Sequence, residues 1–340
     1  MLFLFVVLYF KTKIVFTPED IISIHTTKEF HKTAMKVFRF QFQHNQVYQK
    51  YCLLLNKSPE NVKHLTEIPF LPIEFFKSKD ILSSIDPIQT TFTSSGTTGM
   101  ITSKHHVTDL VFYEDSFRSA FSRFYGNIED YAVLALLPSY LEREGSSLIY
   151  MAKDFIEGSN HPDSGFYLNN YNELAQKLVE LDNSGQNVLL IGVTYALLDL
   201  IELQKFQLKN TIIMETGGMK GKRKEMIREE LHTILVEGFG VEKIHSEYGM
   251  TELLSQAYSF GDGIFECPPW MDILIRDTED PLTIIEEGKT GGINVIDLAN
   301  INSCSFIATQ DLGKKYPDYS FEVLGRFDNS DIRGCNLMVY

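Results

Sequence analysis

The sequence predicts an α/β protein, with layered sheets and helices over residues 1–260 and a smaller β-rich part over 261–340. Three observations carry that expectation. Apolar runs of strand length alternate with amphipathic segments between Asp109 and Leu235. Beyond Lys243 the segments become shorter and are split by Gly, Pro and Asp turns. The stretch Thr93–Lys104 packs five hydroxyls and two glycines into seven residues, with a lysine following. Its backbone N–H groups and hydroxyls suit the oxygens of a phosphate.

Taken in order, Leu2–Phe10 is an unbroken apolar run followed by Lys11 and Lys13. It is too short to span a bilayer, and it lacks the leading positive charge and small-residue cleavage site of a signal peptide. A buried strand, an extension upstream of the natural start, or a membrane anchor are the readings left. Thr27–Cys52 is helical, with Phe30, Ala34, Phe38, Phe42, Val47 and Tyr51 recurring mostly at four-residue steps. Pro69–Lys77, with two prolines and three phenylalanines, predicts an extended aromatic segment. Its rings either pack on the core or line an apolar substrate tunnel.

Asp109–Phe124 predicts an amphipathic helix. Tyr131–Pro138 predicts a strand covered on both faces. Leu141–Ser147 is then a polar loop at that strand's carboxyl end, where open α/β sheets place ligands. Tyr171–Leu181 and Tyr195–Phe206 read as helices around a second buried strand, Asn187–Val193. Thr211–Met219 reads as a strand running into Gly217 and Gly218, and Lys220–Leu235 as a helix. Lys220, Lys222, Arg223 and Lys224 fall near that helix's start, where the dipole disfavours cations, so either a nearby anion or a solvated face accounts for them. Met271–Arg276, Gly292–Asp297, Ser303–Gln310 and Ser320–Leu324 read as strands.

Charge narrows the function. Against 31 Lys and Arg stand 45 Asp and Glu, a formal charge of −14, which disfavours unspecific binding to nucleic acid or anionic lipid. An anionic substrate therefore needs a local positive site. Cys52, Cys267, Cys304 and Cys335 lie far apart without metal-ligand spacing, and reduced thiols in the cytoplasm are the default.

Four stretches carry chemistry. Thr93–Lys104 is not a Walker A loop, since Gly96 and Gly99 are three apart and Lys104 lies well downstream. Alone it is either a phosphate loop or a Ser/Thr/Gly surface turn. His245–Glu252 places the Tyr248 ring and Gly249 beside the oxygens of Thr251 and Glu252. Thr309–Gly313 reads as an acidic turn after a strand, suited to a ribose diol, and Leu324–Gly334 is the fourth stretch.

Their order, a Ser/Thr-Gly loop, Tyr-Gly-x-Thr-Glu, Asp-Leu-Gly and then Gly-Arg-x-Asp with Ile-Arg-Gly following, resembles the adenylate-forming superfamily of acyl-CoA synthetases, adenylation domains and firefly-type luciferases. The resemblance runs from Thr91 to Gly334. Phe70–Phe76, Glu215–Gly221 and Ile332–Cys335 look most like LuxE-type acyl-protein synthetases, with phenylacetate-CoA ligases as near relatives.

The resemblance implies the fold of that superfamily's N-terminal domain and a set of roles. Ser94, Ser95, Gly96, Thr97, Thr98, Gly99 and Lys104 would bind the ATP phosphates. Gly217, Gly218, Tyr248 and Gly249 would bind adenine, with Asp311 and Arg326 on the ribose. Glu252 would hold Mg²⁺, with Thr251 on the α-phosphate. Superfamily members continue into a mobile C-terminal domain carrying a lysine that contacts the reacting carboxylate. This chain stops at Tyr340, so that domain and its lysine are expected to be absent, as in LuxE-type proteins, and Cys335 would take the acyl group on a swinging tail. The implied activity is ATP-dependent activation of a fatty or other carboxylic acid and its transfer to a thiol. The acceptor is Cys335 followed by a reductase or carrier protein or, alternatively, CoA; a nucleotide-binding subunit that has lost catalysis is the remaining reading.

Overall fold

The computed structural model describes residues 16–94, 101–138, 145–217, 223 and 226–327. Its strands are β1 (Leu71–Pro72), β2 (Thr90–Thr93), β3 (Lys104–Val107), β4 (Tyr131–Leu136), β5 (Gly165–Phe166), β6 (Asn187–Gly192), β7 (Thr211–Glu215), β8 (His245–Tyr248), β9 (Ala257–Ser259), β10 (Ile264–Glu266), β11 (Met271–Arg276), β12 (Thr290–Asp297), β13 (Phe306–Lys315) and β14 (Phe321–Arg326). Twelve of them form one sheet in the order β11-β12-β13-β14-β10-β9-β8-β7-β6-β4-β5, with β1 added beside β13. β2 and β3 make a separate antiparallel hairpin.

The sheet changes character along its length. From β5 to β8 the pairs are parallel, and β4 and β6 are buried almost throughout, as continuous apolar runs require. From β8 through β9 to β11 every neighbouring pair is antiparallel, giving the smaller C-terminal β part. The expected boundary at residue 260 falls between β9 and β10, which are hydrogen-bonded neighbours in this one sheet.

Two helical layers cover the parallel half. On one face α5 (Leu110–Tyr125) packs on α6 (Ser147–Ser159), with Phe117 and Phe121 against Phe155. On the other lie α7 (Tyr171–Ser184), α8 (Thr194–Leu203) and α9 (Arg228–Phe239). Right-handed crossovers dictate that division, because the chain steps outward from β4 to β5 and then inward through β6, β7 and β8. The N-terminal helices α1 (Pro18–Ile22), α2 (Thr27–His44), α3 (Gln46–Leu54) and α4 (Phe75–Ser78) complete the set.

Four expectations need correction. The helix over Thr27–Cys52 is broken at Asn45, whose side chain caps Tyr48 N–H and donates to the Ser303 carbonyl; one buried amide ends α2 and starts α3. Pro69–Lys77 is extended only through β1, and α4 begins once both prolines are passed. The basic helix starts at Arg228 rather than Lys220, with Glu229 and Glu230 in its first turn as the dipole favours. Arg223, outside that helix, is ion-paired with Asp199 and Glu202, while Lys220, Lys222 and Lys224 lie outside the described residues. Finally, Thr309–Gly313 is the middle of β13 and not a turn, and Leu324–Arg326 belongs to β14.

Candidate active site

Parallel strands end at one edge of the sheet, and β7 and β8 end side by side there. At the end of β7, Glu215 is 3% exposed and holds five partners. It accepts from Ser246 Oγ (2.8 Å), Thr194 Oγ1 (3.3 Å) and Gly217 N–H (2.8 Å), and it faces Arg228 Nη1 (3.4 Å) and His232 Nε2 (3.7 Å). Burial would raise its carboxyl, but His232, Arg228 and Ser246 hold it down at about 2. The bond to Gly217 N–H closes a tight turn with Gly217 at φ +76°, and nothing described lies within 4 Å of the place a Cβ would occupy.

At the end of β8, the Tyr248 hydroxyl donates to Asp311 Oδ2 (2.9 Å), and Arg326 Nε meets Asp311 Oδ1 (3.2 Å). The Tyr248 ring is 8% exposed, wedged edge-on against Phe265 and Phe321. Arg326 reaches Asp311 because β14 carries an extra residue: Leu312 pairs with Gly325 but Gly313 with Val323. Behind them the buried Arg276 guanidinium donates to the carbonyls of Ile293 and Thr309 and to Asn294 Oδ1. Gly292 makes room for it, since a Cβ there would lie 2.5 Å from its central carbon.

After β8 the chain turns through Thr251 and Glu252, and buried side chains grip this turn on every side. Asp297 accepts from Leu254 N–H (2.7 Å), Ser255 N–H (3.0 Å) and Ser255 Oγ (2.6 Å). Asn300 Nδ2 donates to the Glu252 carbonyl (2.7 Å), and His105 Nδ1 faces the Thr251 carbonyl (2.8 Å). His105 Nε2 faces Asn300 Oδ1 (3.0 Å), so the ring touches an acceptor at both nitrogens; burial pushes its pKa down to about 4. Gln41 closes the set by donating to the Asn300 and Ile301 carbonyls. The Glu252 carboxyl is 6% exposed and bonded to the Ser103 side chain, and burial raises it above the usual range.

His105 stands on β3, so the clamp ties this turn to the β2–β3 hairpin. In sequence the Ser/Thr-Gly stretch links β2 to β3. Ser94 and Ser103 close its base by two hydrogen bonds, and Lys104 pairs across from Thr93 with an exposed side chain. Ser95, Gly96, Thr97, Thr98, Gly99, Gly218 and Cys335 lie outside the described residues. Gly249 directly follows Tyr248. Sequence reasoning missed His105, Asp297, Asn300 and Arg276. A single His in a strand or a single Asn in a turn bears no pattern, and only the packing brings them to the site.

The fold is that of the adenylate-forming ligases, and at one edge of its mixed sheet the buried Tyr248–Asp311 pair, met by the exposed Arg326, stands beside the clamped Thr251–Glu252 turn. Solved structures share the fold. 2-Hydroxyisobutyryl-CoA ligase in the postadenylation state superimposes with a TM-score of 0.66 at 12% identity, over 92% of this chain and 70% of that one. ATP-bound MatB from Rhodopseudomonas palustris gives 0.53 at 16% identity, over 72% of this chain and 49% of that one. The family model for the acyl-protein synthetase LuxE matches residues 17–114 and 151–340, and the chain belongs to that family. It is 23% identical over 342 aligned residues to the long-chain-fatty-acid–luciferin-component ligase of Aliivibrio fischeri, covering 90% of this chain and 86% of that protein. A second ligase of that name, from Photorhabdus luminescens, is 36% identical over 70 residues, 20% of this chain and 60% of that protein. The protein is thus an AMP-forming acid–thiol ligase that activates a carboxylic acid with ATP. Among the described residues no helix is long and apolar enough to cross a membrane.

Proposed function

We propose that the acid is a fatty acid and that the residues gathered at the ends of β8, β13 and β14 bind the nucleotide that activates it. The fatty reading is supported by the names of the two curated relatives. The observation that carries the nucleotide reading is the meeting of Tyr248, Asp311 and Arg326 beside the clamped Thr251–Glu252 turn. A carboxylate oxygen attacks the α-phosphorus of ATP, the bond to the bridging oxygen breaks, and pyrophosphate leaves. The thiol then attacks the acyl carbonyl and AMP departs.

Each residue has a part in this. Asp311, already oriented by Tyr248 and Arg326, accepts from the ribose hydroxyls. The open side of Gly217 lets adenine lie against the backbone, with Gly218, Tyr248 and Gly249 completing that wall. Ser94, Ser95, Gly96, Thr97, Thr98 and Gly99 hold the phosphates, with Lys104 at the base of the loop, and the Thr251 hydroxyl binds the α-phosphate. Glu252 is one buried carboxyl next to a phosphate loop, a donor set that fits Mg²⁺ shared with ATP oxygens. Bound there, Mg²⁺ would neutralise phosphate charge. Alignment and fixed dipoles supply the rest of the acceleration.

Two thiols fit as acceptor. CoA is supported by the fold shared with 2-hydroxyisobutyryl-CoA ligase, which has been solved with CoA. Cys335, with a reductase or carrier downstream, is supported by the family's description as acyl-protein synthetases. Protein, ATP, Mg²⁺ and labelled fatty acid should release pyrophosphate, and Thr97→Ala with Thr98→Ala should abolish it. Near-normal release by that double variant would sink the loop assignment, and ATP binding without pyrophosphate would mean a subunit that has lost catalysis. Label that stays on protein, resists CoA and disappears in Cys335→Ser selects the cysteine; soluble acyl-CoA, unchanged in that variant, selects CoA.

A further inference from the structure

Five buried side-chain polar atoms among the described residues lack a hydrogen-bond partner, and three of them fall in one place: Thr216 Oγ1, Gln256 Oε1 and the Tyr258 hydroxyl. The sheet register explains why. Glu247 on β8 stands opposite Tyr258 on β9, and Thr216 lies one residue beyond the Glu215–Ser246 pair, beside Glu247. Side chains alternate across a strand. Glu215 and Ser246 therefore point together to the α8–α9 face, and Thr216, Glu247 and Tyr258 to the α5 face, where the Tyr258 ring packs on Phe124 and Tyr125. Glu247 itself has no hydrogen-bond partner among the described residues. Glu247 is half-buried, and loss of water around the carboxyl, and then the charge of Glu215, push it up to about 8. Its side chain folds over Gly249, where a Cβ would lie 2.4 Å from Oε1, so it sits at the mouth of the Thr251–Glu252 turn.

We propose that Thr216, Glu247, Gln256 and Tyr258 form a substrate subsite that hydrogen-bonds a hydroxyl or amino group on the acyl part of the acid. This rests on the adenylation reading and narrows its substrate class. A plain hydrocarbon chain laid across this row would leave every one of these groups unpaired, which disfavours its binding. A hydroxyl meets acceptors in Gln256 Oε1 and Glu247 and donors in Thr216 and Tyr258. An ammonium would pair with an ionised Glu247.

The test is acid-dependent ATP–pyrophosphate exchange with short- and long-chain acids, each unsubstituted, hydroxylated or aminated near the carboxyl group. The wild-type protein should prefer a substituted acid over its unsubstituted parent by at least about tenfold in kcat/KM. Glu247→Leu, confirmed folded by thermal melting, should bring that ratio close to one. Glu247→Gln, which keeps shape and hydrogen-bonding capacity, should retain the preference if the group is a hydroxyl and lose it if the group is an ammonium. Equal exchange with parent and substituted acids would mean that water satisfies the row, overturning the proposal while adenylation stands. A preference that survives Glu247→Leu would also overturn it, and no exchange with any acid would remove the adenylation reading with it.

Discussion

Glu215 and Glu247 sit on neighbouring strands, one residue apart in register, and live in opposite chemistry. Glu215 points to the α8–α9 face, where Thr194, Ser246, Gly217 N–H, Arg228 and His232 surround its carboxyl and hold it at about 2. Glu247 points to the α5 face, has no partner among the described residues, and is pushed up to about 8. A residue so fully satisfied has no capacity left for a ligand; its work is to fix the turn at Gly217. A residue so poorly satisfied costs stability in the free protein, a cost proteins retain where a ligand completes the site. The difference separates scaffold from recognition surface within one sheet.

The largest effect should come from breaking the satisfied side. Glu215→Ala strands Arg228 and His232 beside a buried void and releases Gly217 N–H, which should lower unfolding free energy by about 3 kcal/mol, read from urea midpoints. The stabilisation Glu215 supplies is full above its unfolded value of 4.5 and is lost as pH falls towards about 2. A midpoint unchanged at neutral pH would show that the pairs contribute nothing.

A second satisfied site, the clamp on the Thr251–Glu252 turn, should respond less in stability and more in rate. Asn300→Ala removes the donor to the Glu252 carbonyl and the oxygen facing His105, costing about 1–3 kcal/mol of stability. It should also reduce kcat more than it raises KM for ATP, because the turn is misplaced without its binding groups being removed. His105→Asn, which can still donate to the Thr251 carbonyl, should recover part of the rate lost in His105→Ala. Equal rates for those two variants would exclude positioning by that bond.

The smallest effect belongs to the unsatisfied side and has the opposite sign. Between 4.5 and about 8 the unfolded chain has released the Glu247 proton while the folded chain still holds it, so wild-type stability falls as pH rises through that window. Glu247→Leu lacks this term; because Glu247 is only half-buried and solvent weakens the effect, by pH 8 the variant should be more stable than wild type by about 1 kcal/mol. Parallel pH profiles for the two proteins would show that Glu247 is solvated rather than buried.

Much of this was legible in the chain alone. The apolar runs at Tyr131–Pro138 and Asn187–Val193 became β4 and β6, because a strand covered on both faces must be apolar throughout. The pattern failed where one polar side chain settled a boundary: Asn45 ended a helix that hydrophobic periodicity would have continued. It failed again at Asp311, since a short Asp-Leu-Gly string reads as a turn unless a partner strand extends through it. The sequence by itself determined the α/β class, the family and the string of motifs, because these depend on local composition and linear order. Tertiary structure alone decided that His105, Asp297 and Asn300 grip the Thr251–Glu252 turn, and that Glu215 and Glu247 face opposite layers. Those facts depend on strand register and on contacts between residues distant in sequence, which no local pattern encodes.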